Sequence, residues 1–212
     1  MSFQGFTEKD FNVFTIDGLE PRMDAIKTSV RPKLEELGNH FAGWLTEKTG
    51  EDMFPHVAKH ARRKVNPPDD TWVAVAHNKR GYKKLPHFQI GLFESHVFVW
   101  FAVIYESPIK SHFAGLLKEQ KDELISHIPD DYVWSADHTK PEVSVQEEMA
   151  EADLDQLFNR LETVKKAEIL CGRHFQKNDP ALGDGETFIR EVERTFETVL
   201  PLYRIARQAE EE

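Results

Sequence analysis

Phe88-Gln89-Ile90-Gly91-Leu92-Phe93-Glu94-Ser95-His96-Val97-Phe98-Val99-Trp100-Phe101-Ala102-Val103-Ile104-Tyr105 is the stretch that decides the fold. Phe88, Ile90 and Leu92 fall on one side of an extended chain, as a strand with a buried face requires. Val97 to Tyr105 is apolar on both faces, which places it in mid-sheet with cover on each side. Glu94-Ser95-His96 leaves room only for a hairpin, so the two runs are expected to be antiparallel neighbours. Working outward, Trp72 to Ala76, Tyr132 to Ser135 and Ala167 to Phe175 read as further short strands.

Helical spacing brackets these strands. Leu19, Met23, Ile26 and Val30 follow Asp17, an expected N-cap, and Leu34, Leu37, Phe41, Trp44 and Leu45 follow Pro32. They predict two amphipathic helices, or one kinked at the proline. Ser107-Pro108 reads as N-cap and first helical residue ahead of Phe113, Leu116, Leu117 and Leu124, with a stop before Pro129. Leu154, Leu157, Phe158, Leu161 and Val164 form another apolar stripe behind Asp153. Phe188, Ile189, Val192, Phe196 and Val199 form the last, ending or bending at Pro201. Strands in the middle with helices on both sides predict an α+β fold, a largely antiparallel β-sheet covered by several amphipathic helices. No internal repeat or linker interrupts residues 1–212, so a single compact domain is expected.

Composition narrows the class. A chain of 212 residues, 40% hydrophobic and 30% charged, has the material for a core that removes roughly 70% of its unfolded surface from water. The longest apolar run, Val97 to Tyr105, has nine residues, against about 20 for a membrane-spanning helix. No basic region followed by an apolar run and a small-residue cleavage site opens the sequence. One cysteine, Cys171, cannot form an internal disulfide. A cytoplasmic protein with no membrane partner is the expectation.

The net charge is −10, yet His56 to His87 carries eight Lys or Arg against two Asp, together with four of the ten histidines. Charge of this sign concentrated in an acidic chain points to an anionic ligand. If Pro55 opens a helix reaching about Lys64, His56, His60 and Arg63 share one face. Beyond Asn66-Pro67-Pro68-Asp69-Asp70, the clearest breaker in the chain, His77 to Lys84 reads as a loop between strands. Arg there supplies a planar fork of donors for phosphate or carboxylate, Lys a mobile charge, and Tyr82 a ring that can stack.

Two literal stretches carry a family resemblance. His56-Val57-Ala58-Lys59-His60-Ala61-Arg62-Arg63-Lys64-Val65-Asn66-Pro67-Pro68 with Asp70-Thr71-Trp72-Val73-Ala74 is the first, and Arg80-Gly81-Tyr82-Lys83-Lys84-Leu85-Pro86-His87-Phe88-Gln89-Ile90-Gly91-Leu92 the second. The chain resembles the YktB-like family of uncharacterised bacterial proteins. The resemblance implies a compact α+β domain from a Gram-positive-type cytosol, and it implies no reaction.

The candidate site is therefore drawn from the residues themselves: His60, Arg62, Arg63, Arg80, Tyr82, Lys83 and His87, with Glu106 and Arg173. They would hold a phosphorylated or nucleotide-like anion if the two halves of the segment converge. The alternatives are nucleic-acid binding, a protein-interaction module, or a basic surface paired with the protein's own acids, for which Glu142 to Asp155 supplies six carboxylates and no Lys or Arg. Glu106 is the best single candidate for a general acid or base, and otherwise a salt-bridge partner for the arginine cluster of Arg62, Arg80 and Arg173. Arg173, aligned with core positions of its strand, needs a partner or a ligand. No metal is expected: His56 and His60 have the i, i+4 spacing of a helical pair, but no third ligand is fixed. Cys171 and His174, three apart in a strand, point to opposite faces and form no dyad. Nucleotide-loop, dinucleotide, nucleophile-elbow and Cys-x-x-Cys signatures are absent, so cofactor and reaction are unassigned and only fold-level analogy with antiparallel-sheet ligases keeps an enzyme open.

Overall fold

A computed structural model describes residues 3–211. Seven strands, β1 (Phe54–Val57), β2 (Asp70–Ala76), β3 (His87–Phe93), β4 (His96–Val103), β5 (Val133–Ser135), β6 (Ser144–Val145) and β7 (Ile169–Gln176), form an antiparallel sheet in the order β1-β2-β3-β4-β7-β5-β6. Among the described residues seven α-helices accompany them: α1 (Glu8–Asn12), α2 (Leu19–Ala25), α3 (Arg31–Thr49), α4 (Lys110–Glu119), α5 (Lys121–His127), α6 (Glu151–Thr163) and α7 (Gly185–Glu211). The fold is α+β, as the central strand pattern requires. Every residue of β3 and β4 is buried. Among the described residues no helix is long and apolar enough to cross a membrane.

Contacts divide the chain into two compact units. The first takes the chain up to Gly81 with Gln89–Val99 and His174–Glu193, and the second takes Tyr82–Phe88, Trp100–Arg173 and the chain from Arg194 onward. In the first unit α3 lies on β1 and β2, and Gly38 faces both strands. A Cβ there would come within 2.6 Å of Val73 Cγ2. Phe3, Phe6 and Phe175 gather around Phe188 at ring separations of 5.5 to 5.8 Å. In the second unit Phe88 sits against Phe196 and Tyr203 at 5.0 and 5.1 Å. Complete burial of one such ring is worth roughly 1.5–3 kcal/mol.

Several expectations are corrected. Pro55 does not open a helix: Phe54–Val57 is a strand, antiparallel to β2 with Pro55 opposite Val75. Proline is compatible with β1 because that strand forms the edge of the sheet, where one side needs no donor. Of the two alternatives at Pro32 the single helix is found, since Ile26–Val30 is a π-turn that joins the preceding helix to Arg31 without a break. A wider turn just before proline relieves its clash with the preceding turn and tolerates its missing N–H. Gly18, not Asp17, is the N-cap of α2. Ser107 does not cap α4, which begins at Lys110; its hydroxyl donates instead to the Lys84 carbonyl at 3.0 Å. The last helix does not end at Pro201, one of the two alternatives there, but continues to Glu211.

Candidate functional site

The site residues expected from sequence fall into separate groups. His60, Arg62 and Arg63 lie on the connection from β1 to β2, and Arg80 lies on the loop that follows β2. Those loops leave a seven-residue strand from its opposite ends, about 20 Å apart at 3.3 Å per residue. Arg62 and Arg80 thus do not meet as one segment folding on itself would bring them. His56 and His60 are not a helical pair either: His56 Nε2 donates to the Asn78 carbonyl at 2.8 Å, while His60 Nε2 lies 3.2 Å from Thr71 Oγ1.

The β1–β2 connection is the more constrained group. His60 has φ +51°, the one non-glycine residue with positive φ among those described. Such a conformation is uncommon and strained outside glycine, and it clusters where function over-determines the backbone. The imidazole lies edge-on to the Trp72 ring at 5.6 Å. Burial, then the guanidinium groups of Arg63 and Arg31, push its pKa down to about 4. Both charged groups that act on this ring are therefore cations. Arg63 donates to the carbonyls of Asn66 and Pro67 at 3.4 and 3.0 Å, fixing the turn ahead of the proline pair. Arg31 comes from the start of α3, and its Nε and Nη2 are buried without a hydrogen-bond partner. Arg22 closes the turn from the other side, donating to the Pro68 carbonyl at 2.9 Å and to Asp69 at 3.2 Å. Arg62 is exposed and, among the described residues, forms no ion pair.

Tyr82, Lys83, His87 and Glu106 do come together, in the second unit. His87 is fully buried and donates from Nδ1 to the Leu85 carbonyl at 2.7 Å. The Tyr82 ring meets its edge at 4.9 Å. Lys83 Nζ pairs with Glu106 Oε1 at 3.3 Å, and the Tyr105 hydroxyl donates to the same oxygen at 3.2 Å. Glu106 thus forms a salt bridge, but with Lys83 and not with the arginines expected to pair with it. Arg173 is satisfied elsewhere, by Asp131 at 3.3 Å. Two carboxylates of the acidic tract, Glu151 and Asp155, bind Lys121, at 2.7 and 2.8 Å. Cys171 is completely buried, which pushes its thiol pKa well up, and His174 stacks on His96 instead.

One cluster escapes sequence reading. Glu168, 3% exposed at the foot of β7, accepts from the Tyr105 N–H at 3.2 Å, the His138 N–H at 2.9 Å and His138 Nδ1 at 2.7 Å. Asp137 stands beside this pair. Thirty residues separate His138 from Glu168, and no periodicity links a loop histidine to the first residue before a strand.

The chain belongs to a defined class. Residues 6–203 match the family described as a domain of unknown function, DUF1054, and the chain belongs to that family. It is 57% identical over 208 residues to a UPF0637 protein of Bacillus licheniformis, covering 98% of this chain and 99% of that one. A UPF0637 protein of Bacillus velezensis is 53% identical with 98% and 99% coverage, and one of Bacillus cereus 51% identical with 98% and 100%. The resemblance to YktB-like proteins agrees with this membership. The family carries no assigned function.

Proposed function

We propose that the chain binds an anionic ligand, phosphorylated or nucleotide-like, where Arg31, His60 and Arg63 meet, with Arg62 at the rim. The observation that carries this reading is the Arg31 guanidinium, whose Nε and Nη2 are buried and unpartnered. A buried guanidinium costs several kcal/mol unless an acceptor is supplied. The neighbouring charges that act on His60 are of the same sign, so an incoming anion relieves repulsion as well as supplying acceptors. Arg presents its donors as a planar fork matched to phosphate oxygens. The left-handed His60 and the Arg63 contacts to Asn66 and Pro67 preorganise the loop. Arg80, Tyr82, Lys83, His87, Glu106 and Arg173 are outside this reading, because Lys83, Glu106 and Arg173 already have partners.

Isothermal titration with inorganic phosphate, sulfate and ATP tests the proposal. Wild-type protein should bind at least one of them, and Arg31→Ala, with an unchanged circular dichroism spectrum, should weaken it about tenfold or more, the loss of one charge-assisted donor group. No binding by the wild type, or equal affinity in Arg31→Ala, overturns it. Tight binding of single-stranded RNA or DNA with a steep salt dependence and no effect of Arg31→Ala would favour the nucleic-acid reading instead.

A further inference from the structure

Beyond the anion site, we infer that Asp137, His138 and Glu168 form a binding site for one divalent transition-metal cation, of the zinc or manganese kind. Their ligand atoms lie within 4.8 Å of one another. A tetrahedral zinc with bonds of about 2.0–2.2 Å sets its ligand atoms about 3.3 Å apart, so a small adjustment of existing side chains, opening the 2.7 Å His138–Glu168 contact and bringing Asp137 to it, completes three positions. The Glu168 carboxylate is already oriented without the imidazole, because the backbone N–H groups of Tyr105 and His138 hold its two oxygens. Such outer contacts fix the direction of a metal-ligating carboxylate. His138 Nδ1 and Glu168 Oε2 share a hydrogen bond of 2.7 Å. A cation takes that place, with the imidazole holding its proton on Nε2. Asp137 is likewise positioned, its Oδ1 accepting from the Thr139 N–H and hydroxyl at 2.9 and 2.6 Å.

The donor set decides the class of cation. One imidazole nitrogen with two carboxylates suits zinc and manganese better than calcium, which takes six to eight oxygens. Three protein ligands leave a position for water or an anionic substrate. Two positive groups compete nearby. Lys110, whose pKa burial lowers, feels the Glu168 charge but spends its donors on the carbonyls of Lys165 and Ala167. Lys140 stands 3.9 Å from Asp137 Oδ2. Two carboxylates against these cations favour one divalent ion and not two.

The test uses untagged full-length protein stripped with chelator, titrated calorimetrically with zinc chloride and manganese chloride and assayed for bound metal by mass spectrometry. One equivalent should bind to the wild type, with at least tenfold weaker binding in Asp137→Asn and His138→Gln, both half-buried positions that leave the backbone contacts to Glu168 in place. Absence of uptake of either metal by the wild type overturns the inference. Undiminished uptake by both variants overturns it equally.

Discussion

Acidification should destabilise this protein well above the pH at which its carboxylates titrate. His96 on β4 and His174 on β7 stack at 4.0 Å between ring centroids and 26° between planes. Burial lowers the pKa of His96 to about 4, and burial together with the His96 ring lowers that of His174 to about 3. Both rings are thus neutral in the folded protein at pH 5, whereas in the unfolded chain each is protonated near pH 6.5. The unfolded state binds more protons in this window, so stability falls as pH drops below about 6.5 and the loss is complete only near the folded values. At pH 5 the 1.5-unit interval corresponds to about 2 kcal/mol per ring, or about 4 kcal/mol for the pair. That is a large part of the 5–15 kcal/mol typical of a domain. His60, also near 4, adds a similar amount in phosphate-free buffer. Urea denaturation at pH 7, 6 and 5 measures the effect. With a slope of about 1–3 kcal/mol/M, the wild-type midpoint should fall by more than about 1 M. His96→Gln should remove about 2 kcal/mol of the pH dependence, whatever it does to stability at pH 7. If the wild type and a His96→Gln, His174→Gln double variant lose the same stability between pH 7 and 5, the reasoning is refuted.

Glu168→Ala strands the Tyr105 N–H and both His138 donors, and should cost about 3 kcal/mol or more at 1–3 kcal/mol per unmade buried bond; a loss below about 1 kcal/mol in urea would show that the carboxylate is not structurally engaged. Gly91→Ala places a Cβ 2.2 Å from Phe98 and 2.6 Å from Trp72, overpacking expected to cost about 1–3 kcal/mol, and an unchanged melting temperature would contradict the packing of β3. We also propose that residues 1–212 fold as one domain, because β3 and β4 each contribute residues to both compact units. Thermal transitions followed by far-ultraviolet circular dichroism and by tryptophan fluorescence should then coincide, and two separated transitions would mean the units unfold independently.

The fold was legible where burial writes a period into the sequence. Phe88 to Tyr105 has that property, since both faces of β4 and one face of β3 are forced to be apolar, and β4 pairs where the hairpin requires. The stripes of α3, α6 and α7 were legible for the same reason, although nothing in the local pattern of Ile26 to Arg31 distinguishes a π-turn from an α-helix. β1 was misread because its four residues are all half-buried, so no alternation marks it and the charges that follow suggested a helix surface. Of the candidate site, His60, Arg62 and Arg63 could be singled out by charge. Arg31 could not, because it reads as one more polar residue of a helix and becomes unusual only when its nitrogens are seen buried without acceptors. Trp100 and Trp134 are core residues as expected, while Trp44 and Trp72 are half-exposed; a periodic pattern gives the face of an element and not what finally covers it.

The central claim is that Arg31, His60 and Arg63 form an anion site, and the His60 imidazole reports on it directly. Proton NMR titration of His60 with and without saturating phosphate is the decisive measurement. The account predicts a pKa near 4 in the free protein and an upward shift of at least about one unit with phosphate bound, as an opposite charge offsets the two guanidinium groups. A His60 pKa that is the same with and without phosphate would contradict it.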